Sequence, residues 1–126
     1  MEDLPEFYEH STSAIKKPLL TDLSELQIYR MGEYLDVIPV PTKRGNFRDL
    51  ANMYNIEIEE IEKIAKRPSP TERVVLTIID RFPNTTIEDL QTKCRLIRRF
   101  DVHHYLGQAA DDLVYGVYGP TKIVLV

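Results

Sequence analysis

The sequence predicts an all-α domain, a six-helix antiparallel bundle with an N-terminal arm and a short non-helical C-terminal tail. Three observations predict it. Between Asp22 and Leu113 the apolar residues recur at spacings of three and four, the period of one helix face. Good N-cap residues (Asp22, Asn46, Thr85 or Thr86, Asp101) precede those apolar stretches. The connections are short and punctuated by proline at 39, 41, 68, 70 and 83, so neighbouring helices must lie antiparallel or at steep angles.

Residues 1–20 are mixed, with Pro5, Pro18 and a polar Ser11-Thr-Ser, and read as an arm that Phe7 and Tyr8 could anchor. The first helix is expected from Asp22 to Asp36, with Asp22 and Glu25 as a variant capping box and Ile28, Met31 and Leu35 on its inner face. Gly32 inside it costs about 1 kcal/mol against alanine, which suggests a close approach there. Pro39 and Pro41 stop this helix, and Lys43-Arg44-Gly45 follows as an exposed basic loop. The second helix starts at the Asn46 cap, with Asp49 in its first turn and Phe47, Leu50, Ala51 and Tyr54 as one stripe. The third is expected from Glu57 to Lys66, with Ile58, Ile61, Ile64 and Ala65 inward and four glutamates outward. The strand-like alternation at Ile56-Glu-Ile-Glu gives way to a helical period within a turn. The fourth should span Pro70 to Phe82, with Val74, Val75, Ile78, Ile79 and Phe82 inward. Thr85 or Thr86 caps the fifth, which runs to about Arg99 on Ile87, Leu90, Cys94 and Ile97. Asp101 caps the sixth, with Val102, Tyr105, Leu106, Ala109 and Leu113 inward. Beyond it, Gly116, Gly119 and Pro120 break helix, and Ile123-Val-Leu-Val has strand character. The expected organisation is an arm over 1–20, a domain over 21–114 and a tail or linker start over 115–126.

A chain of 126 residues, 43% hydrophobic and 29% charged, is the size and composition of one domain with its own core. The net charge of -4 argues against a general attraction to nucleic acid. That charge is uneven. Residues 1–40 carry a balance of -5, whereas residues 93–104, with Lys93, Arg95, Arg98 and Arg99 against Asp101, carry +3. Opposite poles on a small domain favour head-to-tail contacts with copies or relatives; the competing explanation is two solvated faces. A single cysteine excludes an internal disulfide and suits a reducing compartment. The acidic Met1-Glu-Asp start is unlike a signal peptide, and no apolar stretch reaches the roughly 20 residues of a membrane helix, so the expected address is cytoplasmic.

Catalytic chemistry finds little footing. Adjacent His103 and His104 point about 100° apart on a helix and so seldom share one ion, even with Asp101, Asp111 or Asp112 nearby in sequence. Cys94 at a helical core position reads as a buried, inert thiol. There is no phosphate-binding glycine loop, nucleophile elbow or kinase signature. No catalytic residue, cofactor or metal is therefore expected.

Over residues 22–114 the pattern resembles a death domain. Phe47-Arg-Asp-Leu50-Ala51 is similar to the family's aromatic-x-x-Leu-Ala motif on the second helix, where many members have tryptophan. Ile58-Glu-Glu-Ile61 follows on an isoleucine-rich third helix, then Val75-Leu76-Thr-Ile78-Ile79 on the fourth. After a turn come Thr86-Ile-Glu-Asp-Leu90 and the ending Ile97-Arg-Arg-Phe-Asp101-Val-His-His-Tyr-Leu106. The Thr-Ile-Glu-Asp-Leu turn and Pro68-Ser-Pro-Thr-Glu most resemble the Pelle/interleukin-1-receptor-associated kinase and Toll-adaptor branch. The chain departs from the family in having no tryptophan.

The resemblance implies a non-enzymatic module that binds other death domains in an innate-immune signalling complex of Toll/interleukin-1-receptor type, as part of a kinase or an adaptor. Under it the acidic face Glu57, Glu59, Glu60 and Glu62 and the basic set Arg95, Arg98 and Arg99 are opposite patches of a contact. Lys43 and Arg44, Lys66 and Arg67, and Asp80 and Arg81 are further contact candidates, in or beside connecting loops or at a helix end. The alternative class is a helix-turn-helix-like nucleic-acid-binding domain built on the second and third helices. Its recognition helix would present four glutamates where Arg, Lys, Asn or Gln is needed.

Overall fold

Local capping sets where three of the helices begin. In a computed structural model, which describes residues 17–37 and 45–115, six α-helices follow one another: α1 (Glu25–Leu35), α2 (Phe47–Met53), α3 (Ile58–Ala65), α4 (Pro70–Arg81), α5 (Ile87–Leu96) and α6 (Phe100–Tyr115). A 3-10 turn, Leu20–Asp22, precedes them. Among the described residues there is no strand, only an isolated antiparallel bridge between Leu19 and Thr86. The molecule is thus a helical bundle. No described helix is long and apolar enough to cross a membrane.

Two caps fall where the sequence places them. Asn46 Oδ1 accepts the Arg48 amide at 2.9 Å while Asp49 returns a carboxylate to the Asn46 amide, also at 2.9 Å. Thr86 Oγ1 accepts the Asp89 amide at 3.0 Å. The first cap differs from expectation. Ser24, not Asp22, caps α1, in a reciprocal box with Gln27. Asp22 instead closes the 3-10 turn by accepting the Leu19 amide. The cause is tertiary: Pro18 and Leu20 are hydrogen-bonded to the α4–α5 connection (Leu20 N to Thr85 O and Ile87 N to Pro18 O, each 2.9 Å), and Leu20 is buried in the core. The end of the expected arm therefore belongs to the bundle. Asp101 does not cap α6 either, because the helix starts one residue earlier, at Phe100.

The core gathers one face from every helix. Ile28, Met31 and Leu35 of α1 meet Val74, Val75 and Ile78 of α4, which packs along it; Ile87, Leu90 and Cys94 of α5 meet Val102, Leu106 and Ala109 of α6; Phe47, Leu50 and Ala51 of α2 close the assembly with Tyr54. Two inward assignments are corrected. Ile58 is 68% exposed, and Ile56, bonded through its amide to Ala51 O, takes the core position ahead of α3. Phe82 is 47% exposed, because α4 ends at Arg81 and the backbone turns away there.

One cap crosses between helices. Ser69 has a left-handed backbone, φ 55°, and its side chain caps nothing. Asp36, just past α1, reaches over to accept the Thr71 amide at 2.8 Å and the buried Thr71 hydroxyl. Gly32 makes room for it: a Cβ there would lie 2.9 Å from Asp36 Oδ2. Gly32→Ala should therefore fail to gain the ~1 kcal/mol that alanine brings to a helix interior. In an Asp36→Ala background the same substitution should gain it. Thermal melts of the four proteins test this, and an equal gain in both backgrounds would sink it.

Candidate protein-interaction surfaces

The α5–α6 corner turns sharply because Arg98 is left-handed, φ 65°. This places alternate residues in and out. Leu96, Arg98 and Phe100 are exposed; Ile97 is half-buried and Arg99 is 4% exposed. A buried guanidinium needs acceptors, and each of the three nitrogens of Arg99 has one. Its Nε and Nη2 donate to the two carboxylate oxygens of Asp101 at 3.1 and 2.8 Å, and its Nη1 donates to Gly45 O at 3.1 Å. Gly45 N donates to Ile97 O at 2.8 Å, which pins the residue before the α2 cap to the corner. The Arg99 guanidinium and the Val102 amide hold the Asp101 carboxyl below the usual carboxylate range against its partial burial. Arg99 is thus a structural residue and leaves the expected basic patch. Arg95 and Arg98 remain exposed, without an ion-pair partner among the described residues.

The acidic face of α3 divides similarly. Glu60 pairs with Arg81 at the end of α4, and Glu62 pairs with Arg48 of α2 at 2.7 Å. Both pairs are solvent-facing and worth about 0–1 kcal/mol each. Glu57 and Glu59 are exposed and unpaired among the described residues, with exposed Ile58 between them. Lys66, Arg67 and Asp80 are also exposed. Lys43 and Arg44 lie outside the described residues. Lys93, part of the positive pole in sequence, is neutralised by Asp89 at 3.1 Å and sits 4.9 Å from the centre of the Tyr54 ring. Sequence reasoning missed the exposed apolar members Ile58, Leu96 and Phe100. Leu96 could have been found: it falls off the Ile87-Leu90-Cys94 stripe.

The remaining polar chemistry is structural. Burial pushes the Cys94 thiol up to about 12, so it stays protonated at neutral pH. Burial and the 2.6 Å bond that its hydroxyl donates to Asp89 raise Tyr54 as well. His103 Nδ1 lies 3.1 Å from Gln91 O, and Gln91 Nε2 donates to His103 O at 3.0 Å, which ties α5 to α6. Among the described residues no three His, Cys, Asp or Glu side chains converge on a metal position. An open groove of about 430 Å³ lies at the α4–α5 turn, lined by Phe82, Pro83, Asn84, Thr85, Thr86 and Asp89. No family model matches the chain, and neither a curated protein nor a solved structure matches it.

The Arg99–Asp101 pair has a pH signature. A carboxyl whose folded pKa is depressed contributes stability above its ordinary pKa of about 3.9 and loses it as the pH falls through the folded value. Asp101→Asn should cost about 1.5–3 kcal/mol at pH 7, the range for hydrogen bonds to a charged group. The gap from the native protein should close below about pH 4. Urea unfolding across pH measures it, and a gap that stays constant into acid would refute the assignment.

Proposed function

We propose that this chain is a docking module of death-domain type, which binds other domains of its own kind and so assembles a signalling complex. The carrying observation is the charge left over after the domain has paired its own. Glu57 and Glu59 at the start of α3, and Arg95 and Arg98 at the α5–α6 corner, are exposed and unpaired among the described residues. The order of six short helices and the burial of Phe47, Leu50 and Ala51 agree with the family resemblance. That resemblance extends the proposal to an innate-immune complex of Toll/interleukin-1-receptor type, with a kinase or adaptor as the parent. Charge complementarity would set partner choice and encounter rate more than raw affinity. The helix-turn-helix alternative is weaker, since the outer face of α3 offers acids to a polyanion.

Sedimentation velocity of the purified chain, alone and mixed with related domains, should show association that weakens several-fold as salt rises towards roughly 0.5 M, where charges are screened within a few ångströms. Glu57→Lys with Glu59→Lys, or Arg95→Glu with Arg98→Glu, should weaken it at an unchanged melting temperature. Glu60 and Arg99 are unsuitable for reversal, because each holds a pair within the domain. Normal binding by both reversed proteins would move the contact to other faces; no association, either alone or with a related domain, or a clear gel shift of random DNA, would overturn the proposal.

A further inference from the structure

Two surfaces of this domain match each other in charge and in apolar content. At the start of α3, Glu57, Ile58 and Glu59 are consecutive and all exposed. Ile58, at 68%, is the most exposed of the large apolar side chains described. At the α5–α6 corner, Arg95, Leu96, Arg98 and Phe100 are exposed, Leu96 at 62% and Phe100 at 57%. Neither surface is an accident of a poor core. Beneath the first, Ile56, Ile61 and Ile64 are buried; beneath the second, Cys94 and Arg99 are buried and each guanidinium nitrogen of Arg99 is bonded within the domain. Large apolar side chains that the fold leaves out beside unpaired like charges mark contact surfaces more than solvated ones.

We infer that the start of α3 in one copy docks on the α5–α6 corner of a second copy, with Ile58 seated against Leu96 and Phe100, and Glu57 and Glu59 facing Arg95 and Arg98. This deepens the docking function proposed above and rests on it. The occupant is a second copy because the chain itself carries the complement: an acid-flanked apolar knob and a base-flanked apolar seat. The two surfaces use different residues, so the contact is heterologous. Each added copy leaves one knob and one seat free, and the assembly grows head to tail unless its rotation closes a ring. Arginine suits the seat because its fork can grip a carboxylate bidentately.

The experiment follows association of the whole chain by sedimentation velocity up to millimolar concentration. Ile58→Ser and Leu96→Ser, both at exposed positions, should each weaken self-association at least tenfold without lowering the melting temperature. Glu57→Arg with Glu59→Arg gives a copy basic at both surfaces, and Arg95→Glu with Arg98→Glu a copy acidic at both. Each should be monomeric alone, and a one-to-one mixture should associate. The Arg95→Glu, Arg98→Glu copy keeps its knob, so a substoichiometric amount should shorten native assemblies by occupying one end. Native association untouched by all four variants overturns this contact while leaving the docking function to other faces. A native chain that stays monomeric at millimolar concentration overturns the contact too, and the docking function then survives only with a different domain as partner. Loss of binding to phosphatidylserine vesicles in Leu96→Ser, with self-association unchanged, would assign the corner to a membrane and overturn the contact.

Discussion

The arrangement turns on one buried guanidinium. Arg99 sits where α5 ends and α6 begins, and water cannot solvate it there. Its charge is tolerable because Asp101 balances it and, with Gly45 O, gives each of its nitrogens a partner. Meeting that requirement fixes three things together. The corner must turn tightly, which the left-handed Arg98 achieves. The chain must return from α1 to the corner at Gly45, which sets the start of α2. And the residues on either side of Arg99 must point outward, which is why Arg98 and Phe100 are exposed. A seat made of exposed apolar and basic groups is thus a by-product of how the domain buries a charge.

The same economy governs the other charges. Helix α3 is held to its neighbours by Glu60–Arg81 and Glu62–Arg48 and by the burial of Ile61 and Ile64 beneath them. The ion pairs are exposed, so they align helices more than they stabilise them. They also decide which acids remain available. Of the four glutamates at α3, the two nearer its C-terminus are engaged and the two around its start are not. At the opposite pole, Lys93 is held by Asp89 and Arg99 by Asp101, while Arg95 and Arg98 are not held. Internal pairing therefore leaves Glu57 and Glu59 at one site and Arg95 and Arg98 at another as small patches of opposite charge.

Much of this was legible in the sequence. The spacing of apolar residues located all six helices, and Asn46 and Thr86 marked their caps, because those signals are local. What was not legible was decided by distant partners. Asp22 reads as the cap until Leu20 is seen to be drawn into the core, which forces a turn before the helix can start at the Ser24 cap. Ile56 and Ile58 compete for one core position, and only the bond from Ile56 N to Ala51 O settles which enters. Gly32 reads as a closeness signal, but the group it admits is a carboxylate from its own chain that caps α4. Arg98 and Arg99 look equivalent as neighbours in a basic run. The left-handed backbone of Arg98 itself sends its side chain to solvent and the next one to the interior.

That division bears on how such a domain could assemble. A contact built from one apolar knob and a few exposed ion pairs is weak, since association must first overcome lost translational freedom and side-chain ordering. A weak heterologous contact stays dormant at low concentration. It becomes effective when several copies are held together, because each further contact is then intramolecular and benefits from a high effective concentration. Under the proposed docking function, such a contact would suit a module that responds to clustering of its partners rather than to a ligand of its own. On the proposed contact, strengthening the knob or the seat would remove that dependence: copies would pair without being gathered, and assembly would no longer have a threshold.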